Sequence, residues 1–454
     1  MKSNISIVML SVALLATATL SSCRFEDDDY FDESASLRIE AYNEEAQATL
    51  VGSEQGWVMQ YFCGTQNSQY EGFNLFAKFY DSGRVLMASD HRYLRDGNAG
   101  TYTEDTSLYS LTEEDGPVLA FDTWNDILTV FADPVSSSSA PTTIVNDGVG
   151  MNGDYNFIIE SYSDEEVLLR GQRYSASVRL VRCEMDWQEY ISQTATLKSY
   201  ITNTSINHYY VTDGVDTMYI SGLRNGRMRY AERTTDPVNT DSMACCFTPD
   251  GFHLEDAHTV GESSFQDFVL TDDSTMLVTE DGSVQCIALW DSYAATHTDK
   301  WIIDETQLSS ELSAAYDAIA EALTQYNSKY SIKSLSLGKP RGANFTGLVL
   351  DFYQTTSKSS YNDMAVELAS DLVSFGQIEL SLDDDPTTDN NWSNFISKGA
   401  TDLTDAVMAF AKLIENTYTF EPDNYFLPTG GTYTSVDGTV TLVVSESGSS
   451  SSSL

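Results

Sequence analysis

Basic side chains are scarce in this chain. Lys and Arg number 24 against 68 Asp and Glu, a formal net charge of −44 over 454 residues. A surface of that sign repels phosphate backbones, which argues against a nucleic-acid partner. Long apolar runs are also few: only Ile5 to Leu20 qualifies, and it is too short and too weakly flanked for a stable membrane span. Cysteine is sparse, six in all with no C-x-x-C pair, so zinc-ribbon and dithiol redox motifs are missing. The five histidines (His91, His208, His253, His258 and His297) form no H-E-x-x-H. His253 and His258 in "HLEDAH" are five apart, a spacing that does not stack two imidazoles on one helical face. No metal and no cofactor is expected.

The N-terminus is more telling. Lys2 supplies a short positive region, Ile5–Leu20 an apolar one, and "LSSC" closes it at Cys23. Small residues before a cysteine match the bacterial lipobox, in which the thiol is acylated and the signal is cut just before it. Residues 1–22 are therefore expected to be a lipoprotein signal and Cys23 the lipid attachment site, since several acyl chains on one residue make a lasting anchor. Residues 23–35, including "RFEDDDYFDE", are too charged to pack and read as a solvated tether. Five cysteines remain: Cys63, Cys183, Cys245, Cys246 and Cys286. An odd count leaves at least one thiol free in an oxidising compartment. Cys245 and Cys246 lie in the strand-like "SMACCFTP" and should point to opposite faces, one sharing a buried face with Met243 and Phe247. A vicinal disulfide is the alternative.

An opening helix over Ser36–Val51 stops at Gly52. Short apolar runs between Asp-Gly and Asn-Gly turn pairs then fill a first β-rich domain, 36–200, closed by a helix over Asp186–Ile201. "NLFAKFYDSGRVLMAS" and "GDYNFIIESYSDEEVLLRG" read as hairpins. A second β-rich region, 201–300, includes "MLVTEDGSVQCIAL", where Leu277 and Thr279 alternate before the turn and Val284 and Cys286 after it. "KFYDSGRVLMAS" and "CFTPDGFHLEDA" are faintly alike across the two regions, as shared hairpin physics alone would make them. An α+β part, 301–445, carries the clearest helix, with Leu308, Leu312, Tyr316, Ile319, Leu323 and Tyr326 on one stripe and Asp304 with Gln307 as its start. Strands then alternate with helices, one of them over Asp402–Glu415, before a final hairpin at Asp437-Gly438. A disordered Ser-rich tail covers 446–454. The fold class expected is mainly β with an α+β C-terminal part, built from antiparallel sheets or open barrel-like domains.

Motifs that carry chemistry are few. "GVGMNG" (Gly148–Gly153) fits G-x-G-x-x-G by letter, but the strand-like "DYNFIIESY" follows it where a dinucleotide site needs a helix. With 68 acids, pairs of carboxylates at glycosidase spacing arise by chance. "SLDDDPTTDNNW" lacks the central Gly and closing Glu of an EF-hand. If any loop holds a ligand it is this one, with Trp392 as a stacking platform; packing of Trp392 in the core of the next helix is the competing reading. Asp216-Thr217-Met218 and Asp241-Ser242-Met243 resemble short O-glycosylation acceptors, triplets that chance also produces.

"FDESASLRIEAYNEEAQATLVGSEQGWVMQYF", "GFNLFAKFYDSGRVLMASD", "YSLTEEDGPVLAFDTWNDILTVFADP" and "GDYNFIIESYSDEEVLLRG" together resemble a Bacteroidota surface lipoprotein family, a domain of unknown function. "CFTPDGFHLEDAHTVGESSFQDFVL" is a weaker match, and the likeness spans roughly Phe31 to Leu270. These are packing and turn residues and carry no catalytic residue across. The resemblance implies a setting beside TonB-dependent nutrient-uptake pairs and their companion lipoproteins, and the acids after Cys23 are similar to that group's signal for export to the outer face of the outer membrane. The expected function is non-catalytic binding or accessory work in capture of glycan or peptide nutrients. A glycan or peptide hydrolase using acidic residues, and a structural partner docking on the transporter, are the alternatives.

Overall fold

The computed structural model describes residues 35–446, apart from 96, 114–115, 134–149, 204–205, 207, 231–241, 290–300, 355–356 and 375. The signal segment, Cys23, the tether up to Ser34, His297, Asp241 and residues 447–454 lie outside the described residues. Helix α1 (Ala35–Val51) precedes eight strands: β1 (Trp57–Phe62), β2 (Phe73–Tyr80), β3 (Arg84–Ser89), β4 (Thr103–Thr112), β5 (Val118–Phe121), β6 (Asn156–Tyr162), β7 (Glu166–Gly171) and β8 (Ser177–Arg182). Each pairs antiparallel with the next, and β8 returns to β1, Trp57 opposite Arg182 and Phe62 opposite Ser177, so the barrel closes. Alternation along β1 sends Trp57, Met59 and Tyr61 into the barrel core with Leu75, Phe79 and Phe157, while Val58 faces outward. An eight-stranded barrel is just wide enough to be filled by its own side chains, and this one is.

Helix α2 (Trp187–Ile201) is capped by Asp186, whose carboxylate accepts from the N–H groups of Gln188 and Glu189. It bridges two bodies. Trp187 and Tyr190 cover the outer face of the first barrel with Phe76, whereas Leu197 and Ile201 join the next core. That core fills a second closed barrel of β9 (His208–Thr212), β10 (Thr217–Ser221), β11 (Arg227–Tyr230), β12 (Ser242–Phe247), β13 (Gly251–Val260), β14 (Ser263–Leu270), β15 (Leu277–Val278) and β16 (Gln285–Leu289). The expectation of antiparallel sheets or open barrels thus takes the form of two closed ones. The two similar segments are β2–β3 of the first barrel and β12–β13 of the second, different places in each meander, so their likeness is that of hairpins.

The C-terminal part holds β17 (Trp301–Ile303), α3 (Ser310–Tyr326), β18 (Tyr330–Gly338), β19 (Gly347–Gln354), β20 (Ser357–Glu367), β21 (Ala369–Ser374), β22 (Gln377–Ser381), α4 (Asn390–Ser397), α5 (Thr401–Leu413), β23 (Asn416–Pro422), β24 (Gly430–Ser435) and β25 (Thr441–Glu446). Its nine strands run in the order β20-β19-β18-β17-β25-β24-β23-β22-β21. The two edge strands are consecutive in sequence and joined by Leu368 alone. A flat nine-stranded sheet would be about 38 Å wide, while two residues of chain span at most ~7 Å, so the sheet must roll to bring its edges together. Five strands (β18–β22) follow one another here, where the sequence suggests alternation with helices. Asp304 caps only a short 3-10 turn (Glu305–Gln307), and α3 begins later, with Ser309 accepting from Leu312 N–H. No helix among the described residues is long and apolar enough to cross a membrane.

Candidate ligand-binding cleft between the barrels

Closed barrels have no free edges to pair, so helix α2, one loop and side chains join them. Residues 63–72, between β1 and β2, reach from the first barrel onto β11–β13 of the second. Ser68 sits in the left-handed region (φ 55°). Its hydroxyl accepts from Ala244 N–H (2.7 Å), its carbonyl accepts from the Ser242 hydroxyl (3.0 Å), and its own N–H donates to the Glu255 carboxylate. Asn67 Nδ2 donates to Asp256 Oδ2 (2.7 Å), Gly72 N–H to the Cys245 carbonyl (3.3 Å) and Asn74 Nδ2 to the Phe247 carbonyl (2.6 Å). Glu255 and Asp256 reach this loop because the β13 register shifts between His253 and His258. Burial pushes the Glu255 carboxyl up to about 7, against the Ser68 N–H that favours the charged form.

Beside these contacts opens a cleft of about 510 Å³. The first barrel contributes Gln69, Tyr70 and Glu71 from the loop and Arg92 with Tyr93 from the segment after β3. Arg92 Nη2 lies 2.5 Å from Glu71 Oε1, and its Nε donates to the Tyr93 hydroxyl (2.9 Å). His91 holds this segment. Its Nδ1 accepts from Tyr93 N–H (3.2 Å), which leaves Nε2 to donate to the Ile127 carbonyl (3.0 Å), and burial lowers the ring's pKa to about 4. The second barrel contributes Ser221, Asn225, Arg227 and Arg229. Gly222 at φ 85° starts the tight turn there, and a side chain would meet the Arg227 carbonyl at 2.8 Å. Met228 points into the barrel, so Arg227 and Arg229 share the outer face of β11. Arg227 Nε donates to the Ser242 hydroxyl (3.1 Å).

Glu71 and Arg92 also line an adjoining cavity of about 300 Å³ with Asp90, Thr194 and Lys198. Lys198 Nζ stands 4.6 Å from the Phe247 ring centroid. Burial raises the carboxyls of both Glu71 and Asp90; Arg92 and Lys198 oppose this at Glu71, and the backbone and Lys198 at Asp90. The Asn74 Oδ1 and Thr194 Oγ1 at this cavity are enclosed without a hydrogen-bond partner among the described residues.

The residues that stood out in the sequence fall elsewhere. Trp392 is 7% exposed and packs in the C-terminal core on α4, the competing placement, with Asp389 Oδ1 accepting its backbone N–H (2.9 Å). Its ring offers no exposed platform. Asp383, Asp384 and Asp385 are exposed, and the loop ends at a cavity of about 530 Å³ lined by Arg341, Asp363, Glu367 and Asp389. Among the described residues no group of three His, Cys, Asp or Glu could hold a metal ion. Cys245 shares the barrel interior with Met243 and Phe247, Cys246 faces out onto Phe62, and all five described cysteines are free and buried. Strand β6 follows the described part of "GVGMNG". Sequence reasoning missed the cleft residues altogether; the one available signal was a pair of arginines, "RMR", in a chain poor in them.

The family model for a domain of unknown function (DUF4302) matches residues 27–272, which include every residue of the cleft. No curated protein matches the chain. Among solved structures, a DNA polymerase sliding clamp from Pseudomonas aeruginosa, crystallised with ligand, aligns over 90% of this chain and 98% of its own at 11% identity. The TM-score is 0.12, too slight a likeness to argue from.

Proposed function

The chain belongs to the DUF4302 family, and from that premise and the cleft we propose a lipid-anchored outer-membrane protein, acylated at Cys23 and facing the cell exterior, that binds glycan or peptide as a non-catalytic component of nutrient capture. The observation that carries this reading is the cleft itself: guanidinium, amide, hydroxyl and tyrosine groups around about 510 Å³, held between two closed barrels. That volume is ordinary for a small-molecule site, and groups mounted on rigid strands keep their geometry. The resemblance to Bacteroidota surface lipoproteins supports the anchor, and a TonB-dependent transporter with its companion lipoproteins as partners. The test is a thermal-shift screen of purified protein with glycans, peptides and calcium, each with and without chelator. A ligand at a hundred times its Kd stabilises by about 2.7 kcal/mol. A shift with the ligand recovered unchanged supports the reading, and no shift with any of them overturns it. Cys23→Ala should release the protein from membranes, and protease added to intact cells should digest it; retention or full protection would sink the anchor or the surface placement.

One observation favours a hydrolase as the second reading. Glu71 and Asp90, whose carboxyls burial shifts upward, line the same 300 Å³ cavity, and two carboxyls facing one cavity are the residue types that general acid–base hydrolysis uses. Consumption of the ligand, abolished in Glu71→Gln, would promote it.

A further inference from the structure

We propose that the cleft selects an acidic oligosaccharide, one whose sugar carboxylates meet Arg227 and Arg229; this rests on reading the cleft as a binding site. The chain as a whole carries 68 acids to 24 bases, yet the cleft lining carries three arginines and one glutamate. Arg92 is already paired with Glu71. Arg227 and Arg229 make no ion pair among the described residues, although they project side by side from β11. Two guanidinium groups side by side with no ion pair of their own among the described residues repel each other, and the pKa of Arg227 is lowered by burial and then by Arg229. An anion bridging them removes that repulsion, and a carboxylate matches the planar fork of each. The net charge of −44 does not forbid this. Charges beyond about 8 Å are largely screened at physiological salt, so the local arginines govern a small bound anion.

The rest of the lining favours a sugar over an acidic peptide. Peptides commonly bind by adding a strand to a sheet edge, and both barrels here are closed. Peptide side chains also want apolar pockets, whereas this cleft offers the amides of Gln69 and Asn225, the Ser221 hydroxyl and the two rings of Tyr70 and Tyr93. Amides and hydroxyls pair with sugar hydroxyls, and tyrosine presents an apolar face with a polar tip.

The experiment is calorimetric titration of the purified protein with trigalacturonate, its methyl ester, cellotriose and tetra-aspartate. Trigalacturonate should bind, more weakly as salt is raised, and its ester at least about tenfold more weakly. Arg227→Gln and Arg229→Gln should each lower affinity for trigalacturonate by about ten- to a hundredfold, the worth of a charge-assisted hydrogen bond, with no change toward the ester. Arg229 is exposed, so Arg229→Gln should fold normally, and Arg229→Lys should restore part of the binding. Equal binding of acid and ester, or a preference for cellotriose, overturns the charge selection but leaves the cleft as a binding site. Binding of tetra-aspartate alone overturns the sugar assignment. If none binds, the cleft reading falls with it.

Discussion

Glu255 is the residue whose titration reports on the seam between the barrels. It is half-buried against the 63–72 loop, its carboxylate takes the N–H of Ser68, and its folded pKa is raised to about 7. In the unfolded chain a glutamate titrates near 4.3. Between those values the folded protein holds a proton that the unfolded chain has released, so folding is favoured at the acid end and stability falls as pH rises through the window. The difference of about 2.7 between these values corresponds to about 4 kcal/mol, or on the order of 8–16 °C in Tm for a unit of 150–250 residues. His91 works in the opposite direction over nearly the same range. Its folded pKa of about 4 lies below the unfolded value near 6.5, so its contribution is lost as pH falls. The wild-type profile is therefore flatter than either group alone would make it. Melting curves of wild type and Glu255→Gln from pH 4 to 8 separate the two. The amide keeps the acceptor for Ser68 and carries no charge, so the Tm difference, variant minus wild type, should climb between about pH 4.5 and 7 and then level off. A difference that stays constant across that window would refute the burial of Glu255 in the seam.

Gly72→Ala should destabilise by about 1–3 kcal/mol, a cost of overpacking. Its Cβ would lie 2.5 Å from both Cys246 Sγ and Phe62 Cε1, and Gly72 has no positive φ to confuse the result. Cys246→Ala should relieve part of that cost in a double-mutant cycle, and simple additivity would show that the two residues do not touch. The thiols of Cys63, Cys183, Cys245, Cys246 and Cys286 are all buried with pKa raised chiefly by burial, so a thiol reagent should label none of them quickly in the native protein and all five after denaturation; a fast native phase would contradict the packing. Asp281, lowered to about 2 by the Thr279 hydroxyl and the Ser283 N–H and hydroxyl, and Asp437, lowered chiefly by the Ser435 hydroxyl, stabilise their hairpins above the ordinary aspartate range. That support should fade as pH falls below about 3.9, and Asp281→Asn with Asp437→Asn should flatten the acid limb of the melting profile.

What the sequence shows of this fold is local. Asp437-Gly438 announces the turn between β24 and β25, with Gly438 at φ 72°, and alternation in "MLVTEDGSVQCIAL" marks Leu277, Thr279, Val284 and Cys286 as the buried set. The stripe Leu312, Ile319 and Leu323 is the buried face of α3. Turn chemistry and side-chain period act over a few residues, so they can be read one stretch at a time. Barrel closure cannot. The pairing of β1 with β8 joins residues some 120 positions apart, and nothing in "WVMQYF" or "SVRLVR" names the other as its partner. Trp392 shows the same limit at one residue. The exposed acids before it suggest a solvent-facing loop, but Asp389 caps α4 and turns the indole into the core.

Closure also decides where a ligand could be held. A barrel filled by its own side chains has no lumen to offer and no edge to extend, which leaves the ground between bodies. The cleft is assembled from 69–71, 92–93 and 221–229, three stretches unremarkable alone and meaningful only once Ser68 and Gly72 have fixed one barrel against the other. Its geometry therefore depends on the same few contacts as its existence. Glu71, one residue before Gly72, pairs with Arg92, while Ser242 both accepts from Arg227 and donates to the Ser68 carbonyl. A change at Ser68 or Gly72 should consequently weaken ligand binding and the seam together, whereas Arg229→Gln should weaken binding alone. Finding the two effects separable at Ser68, with a loosened seam and unaltered affinity for ligand, would place the binding site somewhere other than this cleft.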